Sequence, residues 1–215
     1  MKVFSIQFLL LSSLFFGIAC SPIHGFHKVQ VENINSILGK SVIDSTTQKT
    51  VYKTKITIYD NYFSGLFLIK FVPKDTSFRV VFLSEVGLNL LDFKYKNNKF
   101  TVVSCQDFLN KKMILETLQN DFLLLFSKID RNKNCKVYQK ETDSIQVIKF
   151  RDNWKKFYYF CGNQKEFFRI HKKSFFYGSV DVLIHYDQEL KIDEMNFKHK
   201  GIKLEMNLIR LNKDE

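Results

Sequence analysis

The chain has 215 residues, of which 45% are hydrophobic and 15% aromatic, and its formal net charge at pH 7 is +11. The length fits one domain with a substantial core, and it gives no reason to expect several domains. A basic balance could favour nucleic acid, but the lysines are scattered through the chain rather than gathered in one run, so we expect no nucleic-acid partner.

The first residues are typical of an export signal. Met1-Lys2 precede a mainly apolar stretch over residues 3–18, and Ala19 stands directly before Cys20. The stretch is shorter than the roughly 20 residues that a membrane-spanning helix needs, and Pro22 follows at once. We therefore predict a signal peptide over residues 1–19, cleaved before Cys20.

The segment Gly17-Ile18-Ala19-Cys20 resembles the lipobox of bacterial lipoproteins. The resemblance implies that the Cys20 thiol carries diacylglycerol and that lipid anchors the chain to a membrane. The spacing of Gly17 and Ala19 also suits the ordinary signal peptidase, which would leave Cys20 unlipidated. Residues 20–32 are expected to be a tether and residues 33–215 the folded domain. An exported basic chain meets anionic lipid headgroups first.

Alternating apolar residues predict strands from about Thr50 onward. Inward positions alternate with Lys and Thr, and Asp60-Asn61, Pro73-Lys74-Asp75 and Lys96-Asn97-Asn98 are turn signals. The apolar strand positions are Ile56, Ile58, Phe67, Ile69, Phe71, Phe78, Val80, Phe82, Leu91, Phe93, Tyr95, Phe100 and Val102.

The pattern changes to helical spacing over residues 107–127. Apolar residues recur there at intervals of mostly three and four, which predicts the main helix, with Asp107 capping its first turn or a short preceding turn. Strand signals resume near residue 136 and end with the regular alternation of residues 202–208. This order predicts a mainly β fold, a curled antiparallel sheet of about 11 strands forming an incomplete barrel, with the helix over its concave face.

The polar residues give little support for catalysis. The five histidines include no pair with metal-ligand spacing, and no nucleophile or phosphate-loop motif is present. The carboxylates of Asp181, Asp187, Asp193 and Glu194 are expected to point outward from strands and turns. We therefore predict no enzyme activity, no cofactor and no metal site.

The distinctive chemistry of this sequence is apolar. A concave face rich in aromatic residues could be a filled core, or it could enclose a cavity that holds acyl chains. The residues predicted to line that face, and the cavity if it exists, are Ile56, Ile58, Phe67, Ile69, Phe71, Val80, Phe82, Leu91, Phe93, Leu118, Phe122, Leu204 and Met206.

The first half of the domain contains two characteristic runs, Tyr62-Phe63-Ser64-Gly65-Leu66-Phe67-Leu68-Ile69-Lys70 and Phe78-Arg79-Val80-Val81-Phe82-Leu83-Ser84-Glu85-Val86-Gly87-Leu88-Asn89-Leu90-Leu91-Asp92-Phe93. These runs resemble the central hairpins of the LolB-like lipoproteins. The resemblance implies a monomeric half-barrel on the periplasmic side of the outer membrane. It would bind lipoprotein acyl chains delivered by a LolA-like carrier and assist their insertion. This chain has Glu85-Val86-Gly87 where the family has a Pro-Leu-Gly-like tip.

The resemblance also implies a membrane-inserting tip at Val86, Gly87 and Leu88. Gly87 can adopt the positive φ that a tight tip requires. Alternatively, Val86 and Leu88 pack under the neighbouring hairpin, and the Glu85 carboxylate would oppose insertion into lipid. A different class of function stays open as well: an envelope lipoprotein with a filled core that acts as a sensor or as a structural, protein-binding module.

Overall fold

The computed structural model describes residues 21–29, 37–130, 134–140, 144–162, 166–174 and 178–211. The predicted signal peptide and Cys20 lie outside these residues, so cleavage and lipidation stay predictions.

Within the described residues, thirteen antiparallel strands form one unclosed sheet, which confirms the predicted fold class. The strands are β1 (Phe26–Val29), β2 (Lys49–Ile58), β3 (Asn61–Val72), β4 (Ser77–Ser84), β5 (Asn89–Lys96), β6 (Lys99–Cys105), β7 (Lys136–Lys140), β8 (Gln146–Asp152), β9 (Lys155–Cys161), β10 (Phe167–Ser174), β11 (Ser179–Tyr186), β12 (Ile192–Lys200) and β13 (Leu204–Arg210). Their order in the sheet is β1-β7-β8-β9-β10-β11-β12-β13-β2-β3-β4-β5-β6.

Strand β1 lies within the segment that was expected to be a tether. It pairs with β7 over Phe26↔Lys140 to Val29↔Val137, and the Phe26 ring packs edge-on against Phe160. Its four residues include the polar His27 and Lys28, so its own alternation is weak. The sheet therefore begins in the predicted tether, because pairing and packing stabilise a strand with little local signal.

A single helix among the described residues, α1 (Lys112–Phe126), packs into the curl of the sheet. It begins at Lys112 rather than at Asp107, because residues 106–111 form a turn in which Asn110 N–H donates to the Gln106 and Asp107 carbonyls. Phe122 contacts the rings of Phe67 on β3, Phe93 on β5 and Phe197 on β12. Strands from both halves of the sheet thus enclose one helix face.

The strand register defines two ends of this half-barrel. Ile58 pairs with Leu204, Ser174 with Lys155 and Ser179 with Lys200, so the turns after β2, β8, β10 and β12 lie at one end. The turn after β4 lies there too, since Ser84 pairs with Gly65 near the start of β3. The start of α1 lies there as well, since Tyr59 Oη contacts Met113 Sδ at 3.9 Å. We call this the rim end. The pair formed by Phe26 and Lys140 lies at the opposite end, where the described chain enters the sheet.

Gly65 lets β3 and β4 approach each other closely. A Cβ at this position would lie 2.0 Å from the Leu83 carbonyl oxygen, a backbone atom that cannot move without shifting β4. We expect Gly65→Ala to lower the free energy of unfolding by about 1–3 kcal/mol, as overpacking does. Urea unfolding measures this. The control Lys70→Ala, on the exposed face of the same strand, should change stability by less than about 0.5 kcal/mol. Equal stability of the two variants would contradict the close approach.

Candidate functional site

The residues predicted to line an acyl-chain cavity instead fill the space beneath α1. Twelve of the thirteen are buried in one cluster: Ile56, Ile58, Phe67, Ile69, Val80, Phe82, Leu91, Phe93, Leu118, Phe122, Leu204 and Met206. Phe71 is partly buried and packs against the same cluster. The space left between them is about 10 Å³, the room of about one water molecule. The inward face was therefore predicted correctly, but its side chains leave no room there for an acyl chain.

The predicted tip is a tight turn with two exposed apolar side chains. Val86 is 82% exposed and Leu88 62% exposed, so neither packs under the neighbouring hairpin. Gly87 has φ +81°, and the Ser84 carbonyl and hydroxyl oxygens accept hydrogen bonds from the Gly87 and Leu88 N–H groups. The Glu85 carboxylate accepts a hydrogen bond of 2.6 Å from Ser64 Oγ on β3. The carboxylate is therefore tied to the sheet at the base of the turn.

Exposed apolar side chains concentrate at the rim end. They form a set that we call the apolar rim: Tyr59, Tyr62, Val86, Leu88, Phe108, Met113 and Trp154. The stacking of Phe108 on Phe63, with ring centroids 5.4 Å apart, connects this set to the sheet. At the opposite end, the large hydrophobic residues exposed to this degree among the described residues are Leu190, in a turn, and Ile209, next to the last residue of β13. Exposed apolar side chains gathered at one end of a sheet are candidates for membrane or partner contact.

A pocket of about 370 Å³ opens at the same end, between α1 and strands β9–β12. Its volume lies at the lower end of the range for small-ligand sites. The pocket is lined by Met113, Glu116, Thr117, Asn120, Asp121, Lys155, Lys172, Ser174, Gly178, Ser179, Val180, His199, Gly201 and Ile202. It therefore joins apolar walls to several charged groups.

A buried carboxylate forms part of this pocket. The Asp121 side chain on α1 is fully buried, and Oδ2 lies 2.8 Å from His199 Nε2 on β12, so the imidazole N–H donates to the carboxylate. Oδ1 has no hydrogen-bond partner among the described residues. Buried polar atoms are rarely left unpaired, so this oxygen is an unsatisfied acceptor on a side chain that lines the pocket.

Two lysines face the same space. Lys172 pairs with Phe157 and Ser174 with Lys155 in the β9–β10 register, which puts Lys155 and Lys172 on one face of the sheet as diagonal neighbours. Burial lowers the pKa of the Lys172 ammonium; the Asp121 charge opposes this effect and Lys155 adds to it. Within the described part of the chain, neither lysine has an ion pair, and an anion between them would relieve their repulsion.

A second pocket lies on the outer face of the sheet, but most of its charged side chains are already paired. Asp181 accepts hydrogen bonds from Arg169 at 2.7 Å and His171 at 2.9 Å, and Lys198 pairs with Glu205 at 3.4 Å. Burial raises the pKa of Asp181, but the hydrogen bonds from His171 and Arg169 outweigh it and hold the pKa below its usual value. We interpret these pairs as structural.

The other carboxylates of interest are engaged in the same way. Asp187 is hydrogen-bonded to Arg210, whose guanidinium is also 3.8 Å from Asp193, and Glu194 accepts hydrogen bonds from Asn196 and Asn207. In the described ranges, no three His, Cys, Asp or Glu side chains are grouped as a metal site would require. The described helix is neither long enough nor apolar enough to span a membrane.

Asp121, Lys172 and His199 are not among the site residues predicted from the sequence, although their positions carry a signal. Lys172 lies two residues after the inward Ile170, and His199 lies two residues after the inward Phe197, so each shares the inward face of its strand. Asp121 lies three residues after Leu118 and so falls on the apolar stripe of α1. Charged residues at inward positions of two strands and one helix could therefore have indicated a polar pocket.

These features define a mainly β half-barrel with one enclosed helix and a pocket beside it. No protein-family model matches the sequence. No curated protein matches it either. Among solved structures, the fold is similar to that of a DUF1329 family protein from Desulfovibrio piger ATCC 29098, with a TM-score of 0.45, 7% sequence identity, and coverage of 83% of this chain and 87% of that one.

Proposed function

We propose that this chain is a lipid-anchored protein of the outer membrane, facing the periplasm, that binds acyl chains and assists the transfer or insertion of lipoproteins, as its resemblance to LolB-like lipoproteins implies. The observation that carries the proposal is the coincidence of two features at the rim end. The apolar rim and the opening of the 370 Å³ pocket lie side by side there. Met113 belongs both to the apolar rim and to the lining of the pocket, so the two features meet at this side chain.

The acyl-binding place in this proposal is the pocket beside α1 and not the face under the helix. The residues under the helix leave about 10 Å³, whereas Met113, Val180 and Ile202 give the pocket apolar walls. Hydrocarbon needs no hydrogen-bond partners, so such walls suit an acyl segment. The volume suits the first part of a chain, with the remainder lying along the rim.

A lipid on Cys20 and the apolar rim would contact a membrane at different places. The described chain starts at Ser21, and Ile23 packs with Phe26 against Phe160 near the end opposite the rim. Strand β11 has eight residues, so the two ends are separated by roughly 25 Å at about 3.3 Å per residue. Contact of both with one membrane would require the strands to lie along its surface.

The rim should bind membranes without the help of the lipid. We expect the full chain with Cys20→Ser to bind vesicles of phosphatidylethanolamine and phosphatidylglycerol. The double variant Val86→Ser and Leu88→Ser on that background should bind at least about tenfold more weakly, because each exposed side chain loses roughly 1.5–3 kcal/mol of possible burial. Co-sedimentation measures the affinities. Leu190→Ser, at the opposite end, is the matched control and should bind like the parent; equal affinities for all three would exclude insertion of the tip.

Depletion in the producing cell tests the transport function itself. We expect lipoproteins to accumulate away from the outer membrane when the protein is removed, and restoration by the parent chain but not by the Val86→Ser and Leu88→Ser variant. Normal arrival of lipoproteins in the depleted cell, with no second copy of the gene present, would refute the proposal.

The filled core favours a second candidate, an envelope lipoprotein that binds a protein partner through the rim. In that case the rim variants and the parent would bind vesicles with equal affinity, and depletion would leave lipoproteins correctly located. The two experiments above therefore distinguish the candidates.

A further inference from the structure

The pocket beside α1 has the features of a head-group site, because it contains two kinds of unsatisfied polar group. Asp121 Oδ1 is an acceptor without a partner among the described residues, on a side chain that is fully buried. The second Asp121 oxygen is already bound to His199. A ligand that satisfies Oδ1 must donate a hydrogen bond, so it must carry an O–H or N–H group such as a hydroxyl or an ammonium.

The two lysines, by contrast, require a ligand group that is anionic and accepts hydrogen bonds. Lys155 and Lys172 are diagonal neighbours on adjacent strands, and the Lys155 charge acts against the charged form of Lys172. An anionic group with two or more oxygens could accept from both ammonium groups. Phosphate provides such oxygens, and lysine is a common phosphate ligand in proteins.

The apolar walls of the pocket and the position of its opening indicate the chemistry of the remaining part of the ligand. Met113 and Ile202 lie at the rim end, where the pocket opens among exposed apolar side chains. A purely polar ligand would leave these walls unused, and a simple hydrocarbon would leave Asp121 and the lysines unpaired. An amphiphile with a compact polar head satisfies both.

We infer that the pocket binds the head group of a phosphate ester, with the phosphate between Lys155 and Lys172 and a hydroxyl or ammonium group donating to Asp121 Oδ1. The chemistry is shared by membrane phospholipids, such as those with ethanolamine or glycerol head groups, and by soluble phosphate esters. The membrane source of the ligand rests on the proposed function; the recognition of the head group does not.

Lipid selectivity tests the donor requirement. The full-length protein in neutral detergent micelles is titrated with phosphatidylethanolamine and with phosphatidylcholine, whose quaternary ammonium has no hydrogen to donate. We expect phosphatidylethanolamine to bind about 10- to 100-fold more tightly, the size of one charge-assisted hydrogen bond. Asp121→Asn should reduce this preference. Equal affinity of the parent for the two lipids would overturn the inference.

Substitution of the lysines tests the phosphate contact. Lys172→Met and Lys155→Met should each weaken phosphatidylethanolamine binding by about tenfold or more. Lys155 and Lys172 are both partly exposed, so we expect these variants to fold. Lys203→Met removes the same charge at the same end but outside the pocket, and should bind like the parent. Equal loss in all three variants, or in none, would overturn the inference.

Soluble phosphoethanolamine and glycerol 3-phosphate identify the source of the ligand. If they bind as tightly as the lipid and lose affinity with Lys172→Met, the head-group inference holds and the acyl-binding function fails. If only the lipid binds, and it does so with the expected selectivity, both hold. If the lipids bind without selectivity and through the rim residues alone, the proposed function survives and the head-group inference fails.

Discussion

Replacing Phe122 by alanine is expected to lower the free energy of unfolding by about 3–5 kcal/mol. The ring is 1% exposed and contacts aromatic side chains from β3, β5, β6 and β12, so its removal leaves a void that several strands would have to move to close. The measurement is chemical denaturation followed by circular dichroism. Leu190→Ala, at a side chain 51% exposed, is the control and should change stability by less than about 0.5 kcal/mol.

This experiment also separates a filled core from an acyl cavity. Residues that line an open cavity lose few contacts when shortened, because there is empty space on one side of them. A cost below about 1 kcal/mol for Phe122→Ala would show that the space beneath α1 is loosely packed in solution, and it would restore the face under the helix as the place for an acyl chain.

The strand faces could be predicted because inward-facing residues occur at every second position along a strand. Ile56 and Ile58, or Phe67 and Ile69, are placed by alternation alone, and all are buried. The size of the space between the faces could not be predicted in the same way. It depends on how far rings such as Phe122 and Phe93 reach into it, and periodicity gives a direction for each side chain but no separation between sheet and helix.

Strand β1 and the start of α1 could not be predicted for a different reason. Four residues with two polar members carry almost no alternation, and β1 exists through its ladder with β7 and the contact of Phe26 with Phe160. At the helix, Asp107 suggested an early cap, but Phe108 turns outward onto Phe63 and Leu109 is buried before the first helical residue. Tertiary contacts decide both boundaries.

The exposure of the tip could be predicted only through the resemblance. Gly87 between two apolar residues is compatible with a packed hairpin as well as with a protruding one, so the sequence alone does not decide between them. The structure has Val86 and Leu88 in solvent because the turn is closed by Ser84, which accepts two N–H bonds, and not by an apolar contact.

The hydrogen bond between Asp121 and His199 is expected to contribute strongly to stability. Both side chains are almost completely enclosed, with 0% and 6% exposed, so His199→Ala leaves a buried carboxylate with neither oxygen hydrogen-bonded to the described chain. Leaving a buried polar group without its hydrogen-bond partner costs about 1–3 kcal/mol, and more where the group is charged, which exceeds the net contribution of the intact hydrogen bond. We therefore expect His199→Ala to unfold at a much lower denaturant concentration than the parent.

A double-mutant cycle distinguishes the pair from simple packing. If the penalty arises from the unpaired carboxylate, removing it as well should recover part of the loss, so Asp121→Ala with His199→Ala should be less destabilised than the sum of the single variants by about 0.5–3 kcal/mol. Strictly additive losses would mean that the two groups act independently. In that case the carboxylate would not be held in place by His199, and the acceptor that the head-group site requires would lose its fixed position in the pocket.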